Sequence, residues 1–211
     1  MTGCFISFEG GEGVGKSTQI ARIAAHLRGR GLNVVTTREP GGTDGAEAIR
    51  ALLMTGDQDR WNDATEALLF AAARADHVAR LIRPALARGD WVLCDRFIDS
   101  SRAYQGGAGG LSDDDIGALH RVGSDGLLPD RTVVLDLPVG EGAMRATLRA
   151  SLHPDTEPDR MGLKDQGYYD RVAARFRAMA AQEPQRFRVV DAGGSIEQVT
   201  GRLIVALGDM L

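Results

Sequence analysis

Residues Phe8 to Thr18 read FEGGEGVGKST, and inside them Gly10-x-x-x-x-Gly15-Lys16-Ser17 is a complete P-loop pattern. Cys4 to Phe8 is a short apolar run suited to a buried strand, and Gln19 onward reads as a helix, so the glycines stand where strand turns into helix. Glycines let successive backbone N–H groups point into one concavity, and the helix N-terminus adds partial positive charge. The pattern places Gly10, Gly11, Glu12, Gly13, Val14, Gly15, Lys16, Ser17 and Thr18 around a nucleoside triphosphate. Lys16 is expected on the outer phosphates and Ser17 on Mg²⁺. The alternative, a chance glycine-rich turn, has to explain why glycines, lysine, serine and the strand-helix setting all agree.

Composition bounds what surrounds this loop. A chain of 211 residues supports one substantial core and is short for two, so a single domain with small appendages is expected. Apolar residues are 43 % and charged residues 26 %, and no run approaches the roughly 18 to 20 apolar residues of a membrane span. Strand chemistry begins almost at once, with no basic leader before it, which makes the cytoplasm the expected location. The net charge of -4, from 25 basic and 29 acidic residues, gives no global bias towards nucleic acid, so any anion site must be built from locally clustered arginines. Cys4 and Cys94 both lie in apolar strand-like runs and are expected to be buried fillers. His26, His77, His120 and His153 have no metal-ligand spacing, and no chemistry is assigned to them.

Along the chain, Ile20, Ile23, Ala24 and Leu27 form one apolar helical stripe that ends near Gly29 to Gly31. Val34 and Val35 open a second strand, which closes on TREPGGT at Thr37 to Thr43. That turn sets Arg38 and Glu39 at a strand's carboxyl end, where open α/β sheets bind ligands, although a surface ion pair would also fit. Asp44 to Thr55 reads as a helix, and Asp63 with Glu66 reads as a capping pair opening a longer one that runs to Arg88 with a kink or restart at Pro84. Phe70 and Arg74 are i and i+4, so an aromatic ring and a guanidinium share a face. They suit a base and its phosphate, or equally a core ring with an arginine reaching to solvent.

Trp91 to Cys94 form a third strand ending in Asp95-Arg96-Phe97, and an acid after a buried strand suits a metal held through water, which assigns Asp95. DSSRAYQGGAGG at Asp99 to Gly110 reads as a loop with nothing to contribute to a core. Its Ser100, Ser101, Tyr104 and Gln105 are candidates for reading a base edge. Ser112 caps a helix to Gly123, Thr132 to Leu137 is a fourth strand, and Val139 to Arg149 is helical. Ala150 to Lys164 is irregular and polar, bracketed by Arg145, Arg149 and Arg160, and reads as a lid over about 145–165. A helix from Lys164 to Gln182, a strand at Arg186 to Val190 and a helix at Ile196 to Met210 complete an α/β chain. Five strands in a mostly parallel sheet with helices on both faces are expected.

FEGGEGVGKST, TREPGGT, FAAAR at Phe70 to Arg74, DRF at Asp95 to Phe97, SSRAYQGG, PDRTVVLDLP and the DR at Asp159 and Arg160 come in one order. Together they resemble the thymidylate kinase family, of bacterial type, across nearly the whole chain. The resemblance implies the P-loop nucleoside-monophosphate-kinase fold, transfer of a phosphoryl group from ATP to dTMP, Mg²⁺ dependence and a homodimer packed through helices. By resemblance Phe70 stacks on thymine, Arg74 and Gln105 address the base edge, Ser101 lies near it, and Arg96 holds the dTMP phosphate. Tyr104 crowds the sugar 2′ position and Glu12 bonds the 3′-hydroxyl, while Arg38, Glu39 and Arg50 belong to the acceptor side. No arginine stands between Gly11 and Lys16, so the charge for the transferring group is expected from Arg149 and Arg160 of the lid. Arg102 departs from the uncharged residue usual before AYQ and is either exposed or an added phosphate contact. Two rival readings are another nucleoside-monophosphate or nucleoside kinase and a GTPase-type switch, although the chain has no Asn-Lys-x-Asp motif to read guanine.

Overall fold

A computed structural model describes residues 3–138, 140–142, 144–145 and 166–210. β1 (Cys4–Glu9) and β3 (Trp91–Asp95) are apolar on both sides, and their alternate side chains feed two different cores. Ile6, Phe8 and Leu93 pack on one face of the sheet, Phe5, Val92 and Cys94 on the other. Such two-sided burial is what a central parallel strand requires. β2 (Val34–Arg38), β4 (Arg131–Asp136) and β5 (Phe187–Asp191) complete a sheet of order β2-β3-β1-β4-β5, with every pairing parallel.

α1 (Lys16–Gly29) and α8 (Ile196–Ala206) cover one face through Ile20, Ile23, Leu27, Val199 and Leu203. α3 (Asp63–His77), α4 (Arg83–Ala87) and α6 (Asp113–Ser124) cover the other. α2 (Asp44–Met54) packs on α3, and α7 (Gln166–Gln182) packs on the segment after β3. Strand order reverses around β1, so the P-loop opens at the crevice between neighbours that leave the sheet in opposite directions. Gly10, at φ 125°, lies so close to β4 that an added Cβ would stand 2.4 Å from the Leu135 carbonyl oxygen, so only glycine fits there.

Three local expectations need correction. The cap of α3 is Asn62, whose side chain accepts from the Thr65 amide, while Glu66 turns inward and is buried. The chain does not simply kink at Pro84: α3 passes into a π-helical segment at Val78–Ile82 before α4. The glycine-rich stretch is no loop. Ile98–Ser101 is a helical turn (α5) and Arg102–Ala108 a π-helical segment, with Ala103 and Tyr104 packed against Tyr168 and Phe176 of α7 in a third core. Small residues usually mark turns, but here they let the segment lie close to its neighbours, Gly107 against Arg175 of α7. Most of the expected lid, including Arg149 and Arg160, lies outside the described residues.

Candidate functional site

Lys16 begins α1, with Gly15 in the left-handed conformation (φ 94°) turning the loop into the helix. Its ammonium group is buried and donates to the carbonyls of Gly10 at 3.3 Å and Gly11 at 2.8 Å, which holds it across the mouth of the loop. Burial, then the neighbouring Arg96, bring its pKa down to about 7, against the opposing pull of Asp95, Glu9 and Glu12. A triphosphate favours the charged ammonium, so the bound group titrates higher than the free one. ATP binding should therefore take up close to one proton at about pH 8, and almost none below about pH 6, where the ammonium is already formed. Calorimetry of ATP binding in two buffers of different ionisation enthalpy reads this uptake, and its absence at both pH values contradicts the assignment.

Ser17 Oγ donates to Asp95 Oδ2 at 3.0 Å, so the two residues read from sequence as metal-side meet at the loop. A hydroxyl and a carboxylate are hard oxygen donors of the kind Mg²⁺ takes when phosphates and water supply the rest. Among the described residues no group of three or more His, Cys, Asp or Glu is gathered for a metal.

Beside the loop lies an open cavity lined by Glu12, Glu39, Arg50, Phe70, Arg74, Arg96, Ser101, Tyr104 and Gln105 among others. The nine come from the P-loop, the TREPGGT turn, α2, α3, and the DRF and SSRAYQGG segments. Arg96 stands between the cavity and the loop. Its backbone is left-handed at φ 69°, and its Nη1 donates at 3.2 Å to the Gly10 carbonyl, Ser100 Oγ and the Tyr104 hydroxyl. Burial works against this charge, but Tyr104, Asp95 and Glu9 outweigh it and raise the pKa further. Below it Glu9 is fully buried, accepting from the Phe97 amide at 2.8 Å and from Ser100 Oγ at 2.6 Å. Burial, then Asp99, push its pKa up to about 8.

On the far wall Phe70 and Arg74 do share a face. Arg74 does not reach for solvent: it is 3 % exposed, and its Nε donates to Glu39 Oε2 at 2.7 Å while Nη2 donates to Ser101 Oγ at 2.8 Å. Glu39 Oε1 meets His77 Nδ1 at 3.0 Å, and His77 Nε2 meets Thr37 Oγ1 at 2.7 Å. The histidine, given no role from sequence, therefore anchors the acid that anchors the arginine. The ring also explains Gly42, where an added Cβ would stand 2.7 Å from Nε2 and 2.4 Å from Thr37 Oγ1. Arg50 donates to the Pro40 carbonyl at 2.9 Å.

Two expectations fail here. Arg38 pairs with Glu47 at 2.9 Å on an exposed surface and does not line the cavity, because β2 ends with its side chain turned towards α2. Arg102 is not exposed and is not among the residues lining the cavity: it bridges Asp99 at 3.0 Å and Glu183 at 2.8 Å. Asp99 also pairs with Arg186 at 2.6 Å, and despite burial this pairing, with Arg102, holds its carboxyl below the usual range. Sequence reasoning missed Glu9, Glu66, His77, Asp99 and Arg186. A signal existed for two of them: Glu66, Phe70, Arg74 and His77 fall at i, i+4, i+8 and i+11, one face of one helix.

The thymidylate kinase family profile matches residues 8–203. A thymidylate kinase of Rhizorhabdus wittichii is 61 % identical over 211 residues, covering all of both chains. One from Rhodopseudomonas palustris is 50 % identical over 204 residues, covering 96 % of this chain and 87 % of that one. The crystal structure of a thymidylate kinase from Ehrlichia chaffeensis superposes with a TM-score of 0.77 at 32 % identity, covering 99 % of each chain. Neither rival reading is favoured by any of these relatives, and the match spans the P-loop and every wall of the cavity. The chain belongs to the thymidylate kinase family.

Proposed function

We propose that this chain transfers the γ-phosphoryl group of ATP to the 5′-phosphate of dTMP, giving dTDP and ADP, with the P-loop as donor site and the adjoining cavity as acceptor site. The observation that carries the reading is Arg96. It reaches from the cavity to the Gly10 carbonyl of the loop, so one guanidinium lies where an acceptor phosphate and a donor phosphate would meet.

The acceptor has a second pKa of about 6 and is largely dianionic near neutral pH, so no general base is needed. The chain's task is to align two anions and offset their charge. Backbone N–H groups of Gly11 to Gly15 and the start of α1 face the donor phosphates, and Lys16 exchanges its two carbonyl bonds for phosphate oxygens. Arg96 holds the acceptor phosphate, Glu12 at the cavity edge takes the sugar 3′-hydroxyl, Tyr104 closes on the sugar, and Phe70 stacks on the base. Ser17 and Asp95 would hold Mg²⁺, which would supply charge neutralisation at the donor phosphates. The lid role of Arg149 and Arg160 stays part of this proposal on sequence alone. So do a homodimer packed through helices and a cytoplasmic location; no helix among the described residues is long and apolar enough to cross a membrane.

ADP release measured with ATP and a panel of nucleoside monophosphates tests the reading. Release that depends on dTMP is expected. Preference for AMP or GMP, or slow hydrolysis indifferent to the acceptor, overturns it.

A further inference from the structure

Gln105 is 3 % exposed, and its Nε2 donates to Glu66 Oε1 at 3.0 Å. A carboxylate offers only acceptors, so the amide must turn its NH₂ towards Glu66. Gln105 Oε1 is left without a donor among the described residues. Arg74 is fixed in the same manner from the other side, with Nε on Glu39 and Nη2 on Ser101 and the Phe97 carbonyl, and no described residue accepts from Nη1. Neither Nη1 nor Oε1 is among the sealed, partnerless polar atoms, and both residues line the cavity. The cavity therefore offers a hydrogen-bond donor and an acceptor on the wall that also carries Phe70.

A 4-oxo pyrimidine presents the reverse pair, a carbonyl at C4 and an N–H at N3. A 4-amino pyrimidine presents a donor at C4 and a bare nitrogen at N3, which would set donor against donor and acceptor against acceptor. We propose that Glu66 is a specificity-determining positioning residue: by holding the Gln105 amide one way round, it makes the cavity take 4-oxo pyrimidine nucleotides and reject 4-amino ones. The inference rests on the reading that the cavity holds the base of a nucleoside monophosphate. It adds that the selecting group is an acid buried behind the residues that touch the base. Buried polar groups left unpaired by the wrong substrate are what give such a site its discrimination.

The test uses Glu66→Gln in the full chain, because an amide at 66 can donate as well as accept and so frees Gln105 to turn over. kcat/KM is measured with dTMP, dUMP and dCMP, together with KM for ATP and the melting temperature. The preference for dTMP over dCMP should fall at least about tenfold, about 1.4 kcal/mol. The ratio of dTMP to dUMP, which share the 4-oxo pattern, should stay within about twofold. Gln105→Leu, which removes the amide, should lose the same preference, and adding Glu66→Gln to it should change nothing more. An unchanged dTMP to dCMP ratio in either folded variant overturns the proposal, as does an equal fall for all three acceptors, which marks a merely structural role. Wild-type protein inactive on dTMP would instead refute the underlying reading.

Discussion

Arg96→Ala lowers kcat/KM for dTMP by about 10²- to 10³-fold, with KM for ATP changed far less. That range is what the loss of one preorganised donor at a transferring group costs. No described residue substitutes for it: Lys16 faces the donor loop, Arg74 is committed to Glu39 and Ser101, and Arg50 bonds the Pro40 carbonyl. The substitution also has a backbone consequence. Residue 96 sits at φ 69°, where a side chain with a Cβ costs about 1 to 2 kcal/mol relative to the right-handed form. Arg96→Gly should therefore be as inactive as Arg96→Ala yet more stable by about 1 kcal/mol in denaturant titration. Equal activity of Arg96→Ala and wild type would remove Arg96 from the acceptor site.

Lys16→Met lowers kcat by about 10²- to 10³-fold while leaving dTMP binding within about twofold. Methionine fills a similar space in the buried position but cannot donate. The carbonyls of Gly10 and Gly11 then lose their donor, and the donor phosphates lose the charge that tracks them through transfer. Single-turnover measurement separates this from a binding defect. A variant that weakens dTMP binding as much as turnover would show that Lys16 serves the acceptor cavity instead.

Much of this was legible in the sequence because the relevant signals are local. The P-loop, the strand that precedes it and five strands in a mostly parallel sheet follow from short apolar runs and glycine spacing, and these depend little on distant contacts; the order of the strands does not follow from them. Phe70 and Arg74 were readable because one helical period brings them together. Glu9 was not, since a single acid closing an apolar strand looks like the strand's polar end. Only the pairing of β1 with β3 brings Ser100 and the Phe97 amide to it. His77 and Glu66 lay on a visible stripe, but their partners, Glu39 and Gln105, come from elements remote in sequence. The glycine-rich segment misled for the opposite reason. Glycine and alanine usually mark turns, yet here α7 supplies the packing that makes a π-helical segment of them. Arg38 misled too, because the motif says where the strand ends but not which way its last side chain turns.

Product analysis of Mg-ATP and dTMP incubated with the full chain, by ³¹P NMR, tests the joining of donor loop and acceptor cavity most directly. One dTDP for each ADP, with no inorganic phosphate, is the predicted result. ADP appearing with inorganic phosphate while dTMP stays unchanged would contradict it.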